Sequence, residues 1–116
     1  MRTENTSEIR LKVQLDNNKV PSRITWEASE TGEGEQDCKA FMLSIWDEKD
    51  KSSLRIDLWT KDMRMDDMTR HFIQTLISMA QTYERATNAK DVAVEMKNFC
   101  DSITLKINSQ FKEGAQ

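Results

Sequence analysis

At 116 residues the chain has the length of one domain and can bury a core of its own, though 32% charged against 37% hydrophobic residues makes that core modest. A formal net charge of −3, with acids and bases interspersed, gives no clustered Lys and Arg to neutralise a nucleic-acid backbone or an anionic membrane surface. The first eight residues, MRTENTSE, contain no apolar core of a secretory signal, and no stretch approaches the ~20 apolar residues of a membrane span. Both features favour the cytoplasm as the expected location.

The first predicted element is a strand. Ile9, Leu11, Val13 and Leu15 alternate with Arg10, Lys12 and Gln14, the period of a half-buried strand. The next residues, DNNKVP, carry turn chemistry, with Asn tolerant of left-handed backbone and Pro21 unable to donate to a ladder. Ile24, Trp26 and Ala28 then alternate with Arg23, Thr25 and Glu27, completing an amino-terminal hairpin with Trp26 on its inward face. Residues 29–37, SETGEGEQD, hold two of the three glycines and several acids, and read as a mobile loop. It lacks the lysine of a phosphate cradle and its charge repels anions.

Residues 38–46, CKAFMLSIW, form the third expected strand. Phe41, Leu43 and Ile45 share one face; Ala40, Met42, Ser44 and Trp46 share the other. After the charged turn DEKDKSS, Leu54, Ile56 and Leu58 face inward while Arg55, Asp57 and Trp59 face outward. A hairpin apolar on both sides needs something to cover both.

From residue 62 the period becomes helical. Asp62 is the expected N-cap, with Asp66 and Asp67 at the positive end of the helix dipole. Met65, Met68, Phe72, Leu76, Met79 and Tyr83 make a buried stripe, flanked by Ile73, Ile77 and Ala80. This helix stops near Thr87 and Asn88. A second begins about Ala89, with Val92, Met96, Phe99, Cys100, Ile103 and Ile107 as its stripe, and frays from Ser109. The expected architecture is α+β: a single domain, 1–116, with a four-stranded antiparallel sheet of two hairpins followed by two carboxy-terminal helices packed on one face. Residues 1–7 and 110–116 are the expected frayed ends.

Catalytic chemistry finds no support in these residues. His71 is the only histidine, and Asp67 four residues earlier fits a surface ion pair better than an acid–base dyad. No nucleophile elbow is present, and Asp62, Asp66 and Asp67 lack the glycine turn and closing Glu of a calcium loop. Cys38 and Cys100 stand outside any metal spacing and read as free thiols, with a single disulfide the alternative. We therefore expect no enzyme activity, cofactor or metal.

Seven methionines, four of them within residues 63–79, fit core packing or an adaptable peptide-binding surface. The sharper candidate is the outward face of the second hairpin. Met42, Trp46 and Trp59, with Arg55, Asp57 and Lys39 among them, form the mixture of Trp, Met and Arg that interfaces favour. The alternative is that each tryptophan folds over an edge or under a loop.

The run Lys39–Trp59, with its WDEKDKSSLRIDLWTKDM core, and the Arg70–Arg85 helix RHFIQTLISMAQTYER resemble the GldC family of gliding Bacteroidetes. In outline the similarity extends to the amino-terminal hairpin, SEIRLKVQLDNNKVPSRITWEA, and to the second helix around residues 96–100. Its most specific part is LRIDLWTKDM together with the first helix. The resemblance implies a cytoplasmic accessory protein of the gliding machinery, coupled to type IX secretion, and supplies no catalytic residues. Its expected partner is another protein of the gliding or secretion machinery, or a second copy of itself, with no nucleic acid and no membrane insertion. A chaperone-like adaptor that holds extended segments of secretion clients is the alternative role.

Overall fold

The computed structural model describes residues 5–114, and side chains through residue 110. The chain divides into two compact units, Met1–Arg64 and Met65–Gln116. The first is all β and the second all α, in the order expected.

Strands β1 (Ile9–Leu15) and β2 (Pro21–Ala28) form the first hairpin, with Leu11 opposite Trp26 and Val13 opposite Ile24. The Asp16 carboxylate closes its turn by accepting the N–H groups of Asn18 (2.8 Å) and Val20 (3.0 Å). The left-handed residue there is Lys19, at φ 63°, in place of the asparagines that the sequence favours. A third strand, β3 (Gln36–Cys38), pairs antiparallel with β2 through Ile24–Cys38 and Trp26–Gln36. Ile24, central in this three-stranded sheet, is fully buried, whereas Trp26 is half-buried.

A second sheet of two strands, β4 (Ala40–Asp47) and β5 (Ser52–Trp59), keeps an unbroken register from Ala40–Trp59 to Asp47–Ser52. The unit therefore holds sheets of three and two strands, and the expected single four-stranded sheet is corrected. The break falls at Lys39. Residues 36–38 pair with β2 and residues 40–47 pair with β5, so one chain segment serves two different partners. One backbone bond joins the sheets at this kink, Lys61 N–H to Pro21 C=O (3.0 Å), while Thr60 N–H to Lys39 C=O (2.8 Å) carries the β4–β5 ladder up to it. Pro21 has no N–H with which to extend the β2 ladder past the kink. The loop expected over residues 29–37 is shorter than predicted, because Gln36 and Asp37 belong to β3.

In the second unit, α1 (Met65–Thr87) and α2 (Lys90–Gly114) form an antiparallel helical hairpin. Asp66 and Asp67 lie in the first turn of α1 as expected, but Asp62 precedes the helix and does not cap it. Asn88, at φ 61°, closes α1 by donating its N–H to the Glu84 carbonyl at 2.8 Å. Helix α2 continues through Ser109, where the sequence predicts the onset of fraying. Residues 1–4 and 115–116, within the ends expected to fray, lie outside the described residues.

The stripes expected to be buried are largely open. Among the described residues of this unit Ala80, Ala93 and Cys100 are the buried hydrophobic ones, whereas Phe72, Met79 and Phe99 are about half exposed. The fully covered positions thus carry small side chains, while several larger ones of the two stripes stay open.

A tryptophan-flanked face on the second hairpin

Directly opposite residues in an antiparallel pair point to the same face, so the β4–β5 register sorts the side chains without ambiguity. One face carries Phe41, Leu43, Ile45, Leu54, Ile56 and Leu58. The other carries Ala40–Trp59, Met42–Asp57, Ser44–Arg55 and Trp46–Ser53 as its cross-strand pairs. Met42, Trp46, Arg55, Asp57 and Trp59 thus share one face, as the alternation predicts.

Their arrangement is a strip. Trp46 and Trp59 stand six rungs apart, about 20 Å along the hairpin, so their rings do not form one continuous patch. Between them the Arg55 guanidinium grips Asp57 with two hydrogen bonds, Nη2–Oδ1 at 2.7 Å and Nε–Oδ2 at 3.2 Å. The centre of the strip is consequently charged but neutral in sum. Trp46 is 58% exposed and Trp59 53%; neither is tucked under a loop. Lys39 does not belong to this strip. It sits at the kink, its ammonium 2.5 Å from Asp62.

The opposite face of the same hairpin corrects another expectation. Leu54 and Ile56, assigned inward, are 56% and 50% exposed. Alternation identifies which residues share a face; it carries no information on whether that face is covered.

Around the kink the polar groups are held tightly. Asp62 accepts hydrogen bonds from Lys39 and from the Thr60 hydroxyl (2.6 Å), and these hold its carboxyl below the usual carboxylate range. Asp16 is depressed likewise, first by the Val20 N–H and then by Lys61, whose ammonium lies 2.9 Å away. A cleft of about 340 Å³ lies beside them, lined by Ser22, Arg23, Asp37, Cys38, Lys39 and Thr60. Burial pushes the Cys38 thiol up from its ordinary value, the opposite of what an activated nucleophile requires. Both cysteines are free thiols. Nothing in sequence spacing marks this cluster, because its members come from four separate stretches of chain.

Among the described residues the helical unit brings together no group of metal-ligating side chains. His71 Nε2 is buried without a hydrogen-bond partner, and no bond joins His71 to Asp67 among the described residues. An apolar groove of about 620 Å³ runs between α1 and α2, lined by Met65, Met68, Phe72, Leu76, Ile103 and Ile107 among others. Among the described residues no group of His, Cys, Asp and Glu is placed to hold a metal, and no helix is long and apolar enough to cross a membrane.

No curated protein and no solved structure matches the chain. A family model does, that of the Gliding motility-associated protein GldC-like family, over residues 21–109. That span takes in β2 through most of α2, including the tryptophan strip, and is well over half of the sequence. The chain belongs to the GldC-like family of gliding motility-associated proteins.

Proposed function

We propose that this protein is a non-enzymatic, cytoplasmic accessory component of the gliding machinery of Bacteroidetes, and that it works by docking another protein of that machinery. The observation that carries this reading is the strip of Met42, Trp46, Arg55, Asp57 and Trp59, with both tryptophans more than half exposed. Two half-exposed indoles offer large apolar area for a partner to cover, and the Arg–Asp pair between them is neutral in sum. A strip about 20 Å long suits an extended segment or a strand rather than a compact knob.

The test is affinity capture from a gliding host, wild type beside a Trp46→Ala/Trp59→Ala variant, with circular dichroism verifying both folds. One dominant protein recovered by the wild type and lost by the variant supports specific docking. Equal recovery by the two overturns it.

A second reading, a chaperone-like adaptor for secretion clients, draws on the methionine-rich groove between α1 and α2. It predicts micromolar binding to many unfolded peptides, competed by one another. Saturable binding of a single protein argues against it.

A further inference from the structure

The hairpin has an open edge as well as open faces. Strand β5 is paired on one side, to β4, in a sheet of two strands. The phase of that pairing is set where Thr60 donates its N–H to the Lys39 carbonyl. Backbone groups alternate sides along a strand, so the even residues of β5 address β4 and those of Ser53, Arg55, Asp57 and Trp59 point outward. Folded proteins blunt such edges with proline, bulges or inward charges. The segment SSLRIDLW has no proline, and its eight-residue register shows no bulge. The outward edge ends at Lys61, whose N–H is taken by Pro21.

We propose that this edge is a homodimer interface, in which β5 pairs antiparallel with β5 of a second copy about a two-fold axis at Ile56. Charge selects both the occupant and the register. With Ile56 on the axis, Arg55 lies opposite the partner's Asp57 and Asp57 opposite the partner's Arg55. Shifting the axis to Arg55 or to Asp57 sets that residue against its own copy, like charge on like. A shift to a point between two residues places apolar side chains on the charged face. Within β5 this is the register that sets both charged residues against opposite charge, and opposite charges across strands are favourable where like charges are not. The hydrogen-bonding phase agrees: the outward groups of Arg55 meet those of the partner's Asp57, and those of Ser53 meet those of the partner's Trp59. The outer edge of β4, Ala40–Asp47, offers no comparable selection, since none of its residues from Ala40 to Trp46 is charged.

The result is one four-stranded antiparallel sheet, with Leu54 opposite the partner's Leu58 and Ile56 opposite its own copy on the apolar face. On the other face, Trp59 aligns with the partner's Ser53, which is itself paired to the partner's Trp46. Two tryptophans that stand about 20 Å apart in one chain are therefore matched across the dimer by others at about 10 Å, over a small serine. The pairing stands on the edge and its charges, independent of what the tryptophans dock.

The experiment is analytical ultracentrifugation of wild type, Arg55→Asp, Asp57→Arg, and an equimolar mixture of the two variants, each checked by circular dichroism. The wild type is expected to dimerise. Each variant alone sets like charges opposite across the axis twice and should self-associate about tenfold or more weakly. The mixture should recover a one-to-one heterodimer, because an acidic β5 then faces a basic one. That recovery also excludes misfolding as the cause of the single-variant loss. A further variant, Asp57→Pro, removes an outward N–H without touching the β4 ladder and should be monomeric. A monomeric wild type overturns the proposal, as do single variants that dimerise like wild type or a mixture that stays monomeric. The Trp46→Ala/Trp59→Ala variant, which leaves Arg55 and Asp57 in place, should dimerise like wild type while losing capture of a gliding component, and this separates the interface from the proposed docking strip.

Discussion

The two hairpins of the amino-terminal unit share a plan and diverge in what surrounds them. Each joins its strands through a turn with a left-handed lysine, Lys19 in one and Lys51 in the other. The β1–β2 hairpin acquires a third strand, locks its turn with the Asp16 carboxylate and buries Ile24. The β4–β5 hairpin keeps two strands and leaves Trp46, Trp59, Leu54 and Ile56 about half exposed across its two faces. An alternating strand is stable wherever one face is covered, and the first hairpin meets that condition within its own unit. The difference teaches that similar local sequence patterns produce a covered element in one place and an open one in the other.

Truncation breaks this comparison most sharply. Ile24→Ala removes a fully buried side chain and should lower the unfolding free energy by about 2–5 kcal/mol, read by urea denaturation. The Trp46→Ala/Trp59→Ala variant deletes far more side-chain volume, yet should cost about 1 kcal/mol or less, because surface groups contribute little to folding. Its effect belongs to association, where a hot-spot tryptophan is worth about 2 kcal/mol or more. A large stability loss from the tryptophan variant would make the second hairpin a core element and erase the contrast.

Much of this architecture was legible in the sequence. Period-two alternation assigned Met42, Trp46, Arg55, Asp57 and Trp59 to one face, and Asn88 marked the end of α1. Three features escaped it for physical reasons. Alternation runs unbroken through CKAFMLSIW, so the kink at Lys39, which depends on a change of partner strand, leaves no local trace. Strand β3 is three residues long and polar, and only its pairing to β2 makes it a strand. Asp62 looks like a helix cap because a helical period begins just after it, whereas its carboxylate is held by Lys39, 23 residues earlier. Long-range pairing is the common element in what was missed.

The turns offer a smaller and more symmetrical test. Lys19 and Lys51 both occupy backbone that costs a residue with a Cβ about 1–2 kcal/mol, while glycine loses roughly 0.5–1 kcal/mol more on folding than other residues. Lys19→Gly and Lys51→Gly should therefore each stabilise by about 0.5 kcal/mol in urea melts. Equal gains would show that the hairpins differ in their surroundings and not in their turns. A gain at Lys51 alone would mean that the Asp16 bonds already relieve the strain at Lys19.

Acid should act on the junction between the sheets before it acts on either hairpin, and with the smallest effect. Asp16 and Asp62, both at the junction, are held below their ordinary value of 3.8, chiefly by the Val20 N–H and by Lys39 respectively. A carboxylate whose folded pKa is depressed contributes stability above its unfolded pKa and loses that contribution as pH falls through the folded value. Stability of the β unit should thus decline as pH drops below about 4, as these carboxylates take up protons and release Lys61 and Lys39. Asp62→Asn cannot take part in that titration, so its urea midpoint should lie below wild type near neutral pH and converge on it as pH falls through the depressed folded pKa of Asp62. Because the Asp62 side chain is solvent-exposed, the gap should be small and should narrow further in salt. A gap that stayed constant with pH would assign the role of Asp62 to geometry, leaving the backbone bond at Pro21 as what joins the closed sheet to the open one.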